Sequence, residues 1–182
     1  MLRTGGTFKA LGACSAIIEA EANYGAGQLL FLGERFITEA KSYPIAFDAL
    51  KKLKGVYDNT MTTTMWRFVE LAWPELPMVG IVSCHPLRAR RPADFNPEDP
   101  CRHFIQSPAF AQRFSQLSEK EVFEKVAEYC GGQRGGPLGE CELILQDDNE
   151  EAHYFFFESF YNQHDALTLG RWLKKVPVAI AV

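Results

Sequence analysis

Cys84 and His85, then Cys101 and His103 after Arg102, bring two thiols and two imidazoles close together along the chain. Thiolate and imidazole are the donors that zinc takes in tetrahedral sites. Their spacing matches no zinc finger, and free cysteine is ordinarily core, so buried thiols and loop histidines are the expectation. Glu19 and Asn23 stand one helical turn apart, which would set a metal-ligating carboxylate and a supporting amide on one face. The helix dipole also favours a carboxylate in a first turn with no metal at all. Lys51, Lys52 and Lys54, followed by Thr62, Thr63 and Arg67, have the helix, glycine turn and helix layout of a DNA-reading unit. The competing reading of the same segment is a packed helical hairpin with Met61, Met65, Phe68 and Val69 inward. Residues 131–136, Gly-Gly-Gln-Arg-Gly-Gly, have the glycine content of a phosphate loop. No Lys-Ser/Thr follows and they do not lead from a strand into a helix, so a flexible turn is expected.

The elements that must position these groups follow from periodicity. Ile18, Ala22, Ala26, Leu29 and Leu30 recur at helical spacing over residues 15–31, and Gly33 ends that helix. A short helix over 34–41 stops before Pro44, and two more are expected over 47–54 and 60–72, separated by residues 55–59 and closed by Trp73-Pro74. Residues 86–92, continuing through Pro97 and Pro100, are rich in proline and charge and read as a linker. The boundary falls near residue 90, dividing a helical region, 1–90, from a small α+β domain, 91–182. Pro108 opens a helix over 109–115, and Ser118 with Glu121 has the capping-box form for a helix running to Cys130. Residues 140–146 and 152–161 are β-rich runs joined by Asp147-Asp148-Asn149-Glu150, a hairpin, and 167–172 adds a third strand. The fold class is therefore α+β, a helical region followed by two helices and an antiparallel meander. The run Tyr154-Phe155-Phe156-Phe157, with Phe160 and Tyr161, is apolar on both strand faces, which fits a sheet sandwiched by helices or covered by a partner such as a second copy.

Residues 19–31, Glu-Ala-Glu-Ala-Asn-Tyr-Gly-Ala-Gly-Gln-Leu-Leu-Phe, are similar to the ExEANxFAAxLLMP helix of the ImmA/IrrE zinc metallo-endopeptidases. Leu50, Leu53, Gly55, Val56 and then Arg67-Phe68 recur where that family has its helix-turn-helix-like region, so the likeness covers roughly residues 15–85. The resemblance implies that Glu19 is the third zinc ligand, beside two histidines and a general-base glutamate from an HExxH helix, with Asn23 in support. It also implies a helix-turn-helix transcriptional regulator as partner, since the intact enzyme is typically encoded beside a repressor that it cleaves or inactivates.

The departures weigh more than the match. His85, His103, His153 and His164 include no pair at HExxH spacing, and none precedes Glu19. Leu32 stands where the motif has proline. The implied peptidase is thus expected to be inactive as the chain stands, with Glu19 a vestigial ligand and no cofactor. Zinc and a truncated or split endopeptidase return if an upstream HExxH segment exists. A non-enzymatic DNA- or protein-binding module is the remaining class.

A chain of 182 residues, 47% hydrophobic and 23% charged, can bury a substantial core. Its formal net charge of -4 gives no global pull toward nucleic acid, so DNA contact would rest on a local basic patch. Five cysteines without a CxxC pair fit a reducing cytoplasm, and the ImmA/IrrE resemblance implies a bacterial one. Leu11-Gly12-Ala13-Cys14 resembles a lipoprotein box, but Thr4, Thr7 and Lys9 interrupt the apolar stretch such a signal needs. No stretch reaches the roughly 20 apolar residues of a membrane span.

Overall fold

The computed structural model describes residues 33–177. Glu19, Asn23 and the expected helix over 15–31 lie outside the described residues. Three helices come first: α1 Glu34–Ala40, α2 Phe47–Tyr57 and α3 Met61–Arg67, the last continuing as a π-helical turn, Phe68–Ala72. In α2, Phe47, Ala49, Leu50 and Leu53 form the buried stripe. This helix runs past Gly55 to Tyr57, three residues beyond expectation. Tyr57 packs edge-on against Phe36 and donates to Glu39 Oε2 at 3.2 Å, which anchors an extra turn. Asp58, at φ 47°, then closes it in the left-handed region. Thr60 caps α3 by accepting from the Thr63 amide at 3.1 Å. Met65, Phe68 and Val69 point into the core and Met61 packs against it half-buried, as the helical-hairpin reading requires.

Five strands form one antiparallel sheet in the order β2-β1-β5-β4-β3: β1 Met78–Ser83, β2 Cys101–Gln106, β3 Gly136–Gln146, β4 Ala152–Tyr161 and β5 Ala166–Lys175. Helices α4 Pro108–Arg113 and α5 Glu119–Tyr129 lie between β2 and β3. The expected α+β class holds, with helices ahead of an antiparallel sheet and β3–β4–β5 forming the meander. Two strands went unforeseen. β1 is buried at all six positions because helices cover both its faces, so it has no alternating pattern to betray it. β2 follows directly on the proline-rich stretch. The sheet therefore takes β1 from before residue 90 and the other four strands from after it. The segment expected as a linker connects two neighbouring strands and contains a short 3-10 turn, Arg88–Arg90. Arg91 holds it by donating twice to the Pro86 carbonyl, at 2.8 and 3.0 Å, while its guanidinium lies 4.5 Å from the Phe95 ring centre.

The sheet has helices on both faces and therefore two cores. Met78, Val82, Leu167 and Leu169 face α1–α3, whereas Val79, Ile81, Phe155 and Phe157 face Phe110, Phe114, Val122 and Phe123 of α4 and α5. Ser107 joins the layers. Its hydroxyl donates to the Leu76 carbonyl at 2.7 Å and accepts from the amides of Met78 and Phe110, so one side chain starts β1 and caps α4. The capping box of α5 is present, with the Glu121 carboxylate on the Ser118 amide at 2.8 Å. Gly170 is required by packing, since a Cβ there would fall 2.4 Å from the Phe157 ring. Toward β3 the α1–α3 side of the sheet is less covered: Ile144 is 45% exposed, and Tyr154 and Phe156 lie half-buried under Lys174 and Arg171. No helix among the described residues is long and apolar enough to cross a membrane.

Candidate functional site

Where the C-terminal half of α2 approaches the β4–β5 turn, two cavities adjoin around the end of β4 and together make up a groove, with Phe160 packed on the α1–α3 side of the strand and Tyr161 on the α4–α5 side. The larger, about 880 Å³, is lined by Lys51, Lys54, Met61, Phe160, Tyr161 and their neighbours. The smaller, about 300 Å³, is lined by His85, Arg90, Arg134, Tyr161 and Gln163. Tyr161 and Gln163 belong to both. These volumes match small-molecule sites, roughly 300–1,000 Å³.

Local chemistry explains why these side chains meet. Asn162 forms the β4–β5 turn: its Oδ1 accepts from the amides of His164 and Asp165 at 2.9 and 2.7 Å. Gln163 is thereby held at φ 79°, a left-handed conformation uncommon for a residue with a Cβ. Opposite, the glycine-rich connection from α5 to β3 is pinned by His85. The Leu87 amide donates to His85 Nδ1 at 3.2 Å, so Nε2 carries the ring proton and donates to the Gln133 carbonyl at 3.0 Å. With both nitrogens engaged and its ring edge-on to Tyr161 at 4.9 Å, buried His85 is a strut of the groove.

The groove is electropositive in an acidic chain. Lys51, Lys54, Arg90 and Arg134 line it against a single carboxylate, Asp58. Lys51 is neutralised by Asp48 at 2.9 Å and lies over the Phe160 ring. Lys54, Arg90 and Arg134 have no ion pair among the described residues.

One carboxylate–imidazole cluster, Asp147, Glu151 and His153, has the donor types of a metal site. Its donors are already used. Trp172 Nε1 donates to His153 Nδ1 at 3.3 Å, which leaves His153 Nε2–H to donate to Asp147 Oδ2 at 3.0 Å. Arg113 donates to the same oxygen at 3.1 Å, and the amides of Asn149 and Glu151 donate to Oδ1. Lys175 meets Glu151 at 2.5 Å. Burial opposes ionisation of Asp147, but these donors, the Glu151 amide foremost and then Arg113 and His153, outweigh it and hold its carboxyl down at about 2. Two resident cations balance the two carboxylates, so the cluster does not fit a divalent metal; it staples the β3–β4 hairpin to α4.

The residues singled out from sequence are distributed unevenly. Lys51 and Lys54 line the groove, whereas exposed Lys52 lies over Tyr43 and half-buried Thr62, Thr63 and Arg67 are not part of its lining. The Cys84, His85, Cys101 and His103 set does not converge. His85 is bound to backbone groups, His103 packs against Trp66 at 5.0 Å, and buried Cys101 lies opposite Ser83. Burial pushes both thiols up, with Glu119 and Asp99 adding to the effect at Cys101, which disfavours the thiolate that zinc needs. Arg90, Arg134, Tyr161 and Gln163 were not anticipated as site residues. The available signal was an arginine within the glycine-rich stretch together with a second arginine cluster, Arg88, Arg90 and Arg91, in a chain of net negative charge.

No family model matches the chain, and no curated protein is similar to it.

Proposed function

We propose that this chain is a cytoplasmic regulatory protein of ImmA/IrrE descent that works by binding rather than by peptide hydrolysis, acting through a helix-turn-helix transcriptional regulator. One observation carries the binding reading: Lys54, Arg90 and Arg134 line adjoining cavities and make no ion pair among the described residues. Unpaired cations around a concave, partly aromatic groove suit capture of an anionic ligand. The Asp147–His153 cluster supports the same reading, because its proton-transfer and ligand atoms are consumed by Arg113, Trp172 and backbone amides. Descent rests on residues 19–31 and on the Leu50, Leu53, Gly55-Val56 and Arg67-Phe68 pattern.

The test is co-purification of the full chain with a helix-turn-helix repressor of the kind the resemblance implies as its partner. The expected result is a stoichiometric complex in which the regulator stays intact. Zinc-dependent cleavage of the regulator would refute the binding reading and restore the truncated-endopeptidase alternative, with Glu19 as a ligand.

A further inference from the structure

Strand β3 is an edge of the sheet, with β4 as its one neighbour among the described residues. It is the longer of the two edges, 11 residues against 6 in β2. Helix α5 runs beside it and is tied to it at both ends. The Gly131 amide, just after the helix, donates to the Leu138 carbonyl at 2.7 Å. Ahead of the helix, the amides of Ser115 and Gln116 donate to Asp148, just past the strand, at 3.1 and 3.0 Å. Between these ties lies a cavity of about 590 Å³, lined by Leu117, Glu121, Glu124, Lys125 and Glu128 on one side and by residues 144–146 of β3 on the other. Over residues 139–146, the backbone groups that face away from β4 have no backbone partner among the described residues. Such an edge is a template for one more strand, and a cleft between edge and helix can receive that strand's side chains.

Charge selects which strand. Glu140 and Glu142 pair with Glu158 and Phe156 and are exposed on the sheet face turned away from α5, while Glu124 and Glu128 are exposed on α5 itself. None of these four carboxylates has an ion pair among the described residues. Lys125 is the one cation lining the cavity. Both faces of an added strand would therefore meet carboxylates. A second copy of the chain is a poor occupant: full-length antiparallel pairing of β3 with itself centres on Cys141 and sets Glu140 of each copy against Glu142 of the other, and like charges directly opposite are destabilising. We propose that the β3 edge is a docking site for an extended basic segment of a partner protein, added to the sheet as one more strand. Its lysine or arginine side chains face Glu140 and Glu142 on one side and Glu124 and Glu128 on the other. Main-chain bonds to β3 hold the segment, and the carboxylates decide which sequences are accepted. This cavity shares no residue with the cationic groove, so the inference goes beyond the binding reading above.

Titration of the full chain into a fluorescently labelled octapeptide of alternating lysine and threonine tests it, with hydrogen exchange of the β3 amides as a second readout. Saturable binding below about 1 mM is expected, together with slowed exchange at alternate amides of residues 139–146, those facing away from β4. The same peptide carrying a central proline lacks an N–H for the ladder and should bind at least about tenfold more weakly. A glutamate–threonine octapeptide should not bind. The Glu124→Lys/Glu142→Lys double variant, altered at two exposed positions, should weaken the lysine peptide by about tenfold or more while melting near the temperature of the unaltered chain. Absence of saturable binding at 1 mM, or binding without protection of the β3 amides, would overturn the proposal. Equal affinity for the proline peptide would reduce the effect to adsorption of charge on the surface and would overturn it as well. So would undiminished affinity in a folded double variant. Concentration-dependent dimerisation that protects the same amides in the absence of peptide would assign the edge to a second copy instead.

Discussion

Burial opposes the charge of Asp147, but Arg113, His153 and two backbone amides converge on its two oxygens and keep it ionised. Its folded carboxyl is held down at about 2, below the ordinary 3.8 of an aspartate. A depressed carboxylate contributes stability above its unfolded value, and that contribution disappears as pH falls through the folded one. The contribution is roughly 2 kcal/mol, fully present above about pH 5 and lost between about pH 4 and pH 2. Urea unfolding across this range should show the unaltered chain exceeding Asp147→Asn near neutrality, with the gap narrowing toward pH 2. A gap independent of pH would mean that ionisation of Asp147 contributes nothing. Little of this arrangement was legible in sequence. The turn Asp147-Asp148-Asn149-Glu150 announces a hairpin, but nothing local says that Arg113 and Trp172 will meet it.

Helix α2 shows what sequence does and does not convey about an element. Its buried stripe of Phe47, Leu50 and Leu53 was readable from spacing, but its end was not: Gly55 reads as a stop, and tertiary contacts of Tyr57 override it. A Cβ at Gly55 would meet nothing within 4 Å. Gly55→Ala is accordingly expected to stabilise the protein by about 0.5–1 kcal/mol, the ordinary difference between the two residues inside a helix. Chemical denaturation would check it, and a destabilised variant would show that α2 needs glycine there for a reason other than helix geometry. The helices α4 and α5 and the β3–β4 hairpin were legible because their starts are written locally, in Pro108, in Ser118 with Glu121, and in a polar turn. β1 was not, since a strand buried on both faces and centred on Gly80 carries neither alternation nor a turn signal. The groove was the least legible feature. Lys54, Arg90, Arg134 and Tyr161 come from four distant segments, and only the folded sheet brings them together.

At the scale of the molecule, β1 belongs to both cores. Met78 and Val82 pack with α1–α3, while Val79 and Ile81 pack with α4 and α5. The helical layer cannot detach without exposing one face of the strand on which the other layer depends. Unfolding of the described region is therefore expected to be one cooperative transition. Leu50→Ala in one core and Phe123→Ala in the other should each lower the same transition, by about 2–5 and 3–5 kcal/mol respectively. Two separable transitions, each sensitive to only one substitution, would show that the layers fold independently.

The same economy applies to how β4 and β5 find their alignment. Phe157 is paired with Gly170, whose missing side chain leaves room for the ring. Sliding β5 by one residue in either direction would bring Leu169 or Arg171 opposite Phe157 and turn every β5 side chain to the wrong layer. The glycine thus acts as a notch that admits a single register. Because Tyr161 and Ala166 are the last pair of the same ladder, the notch also sets where the β4–β5 turn ends and, with it, where the groove places Tyr161 and Gln163.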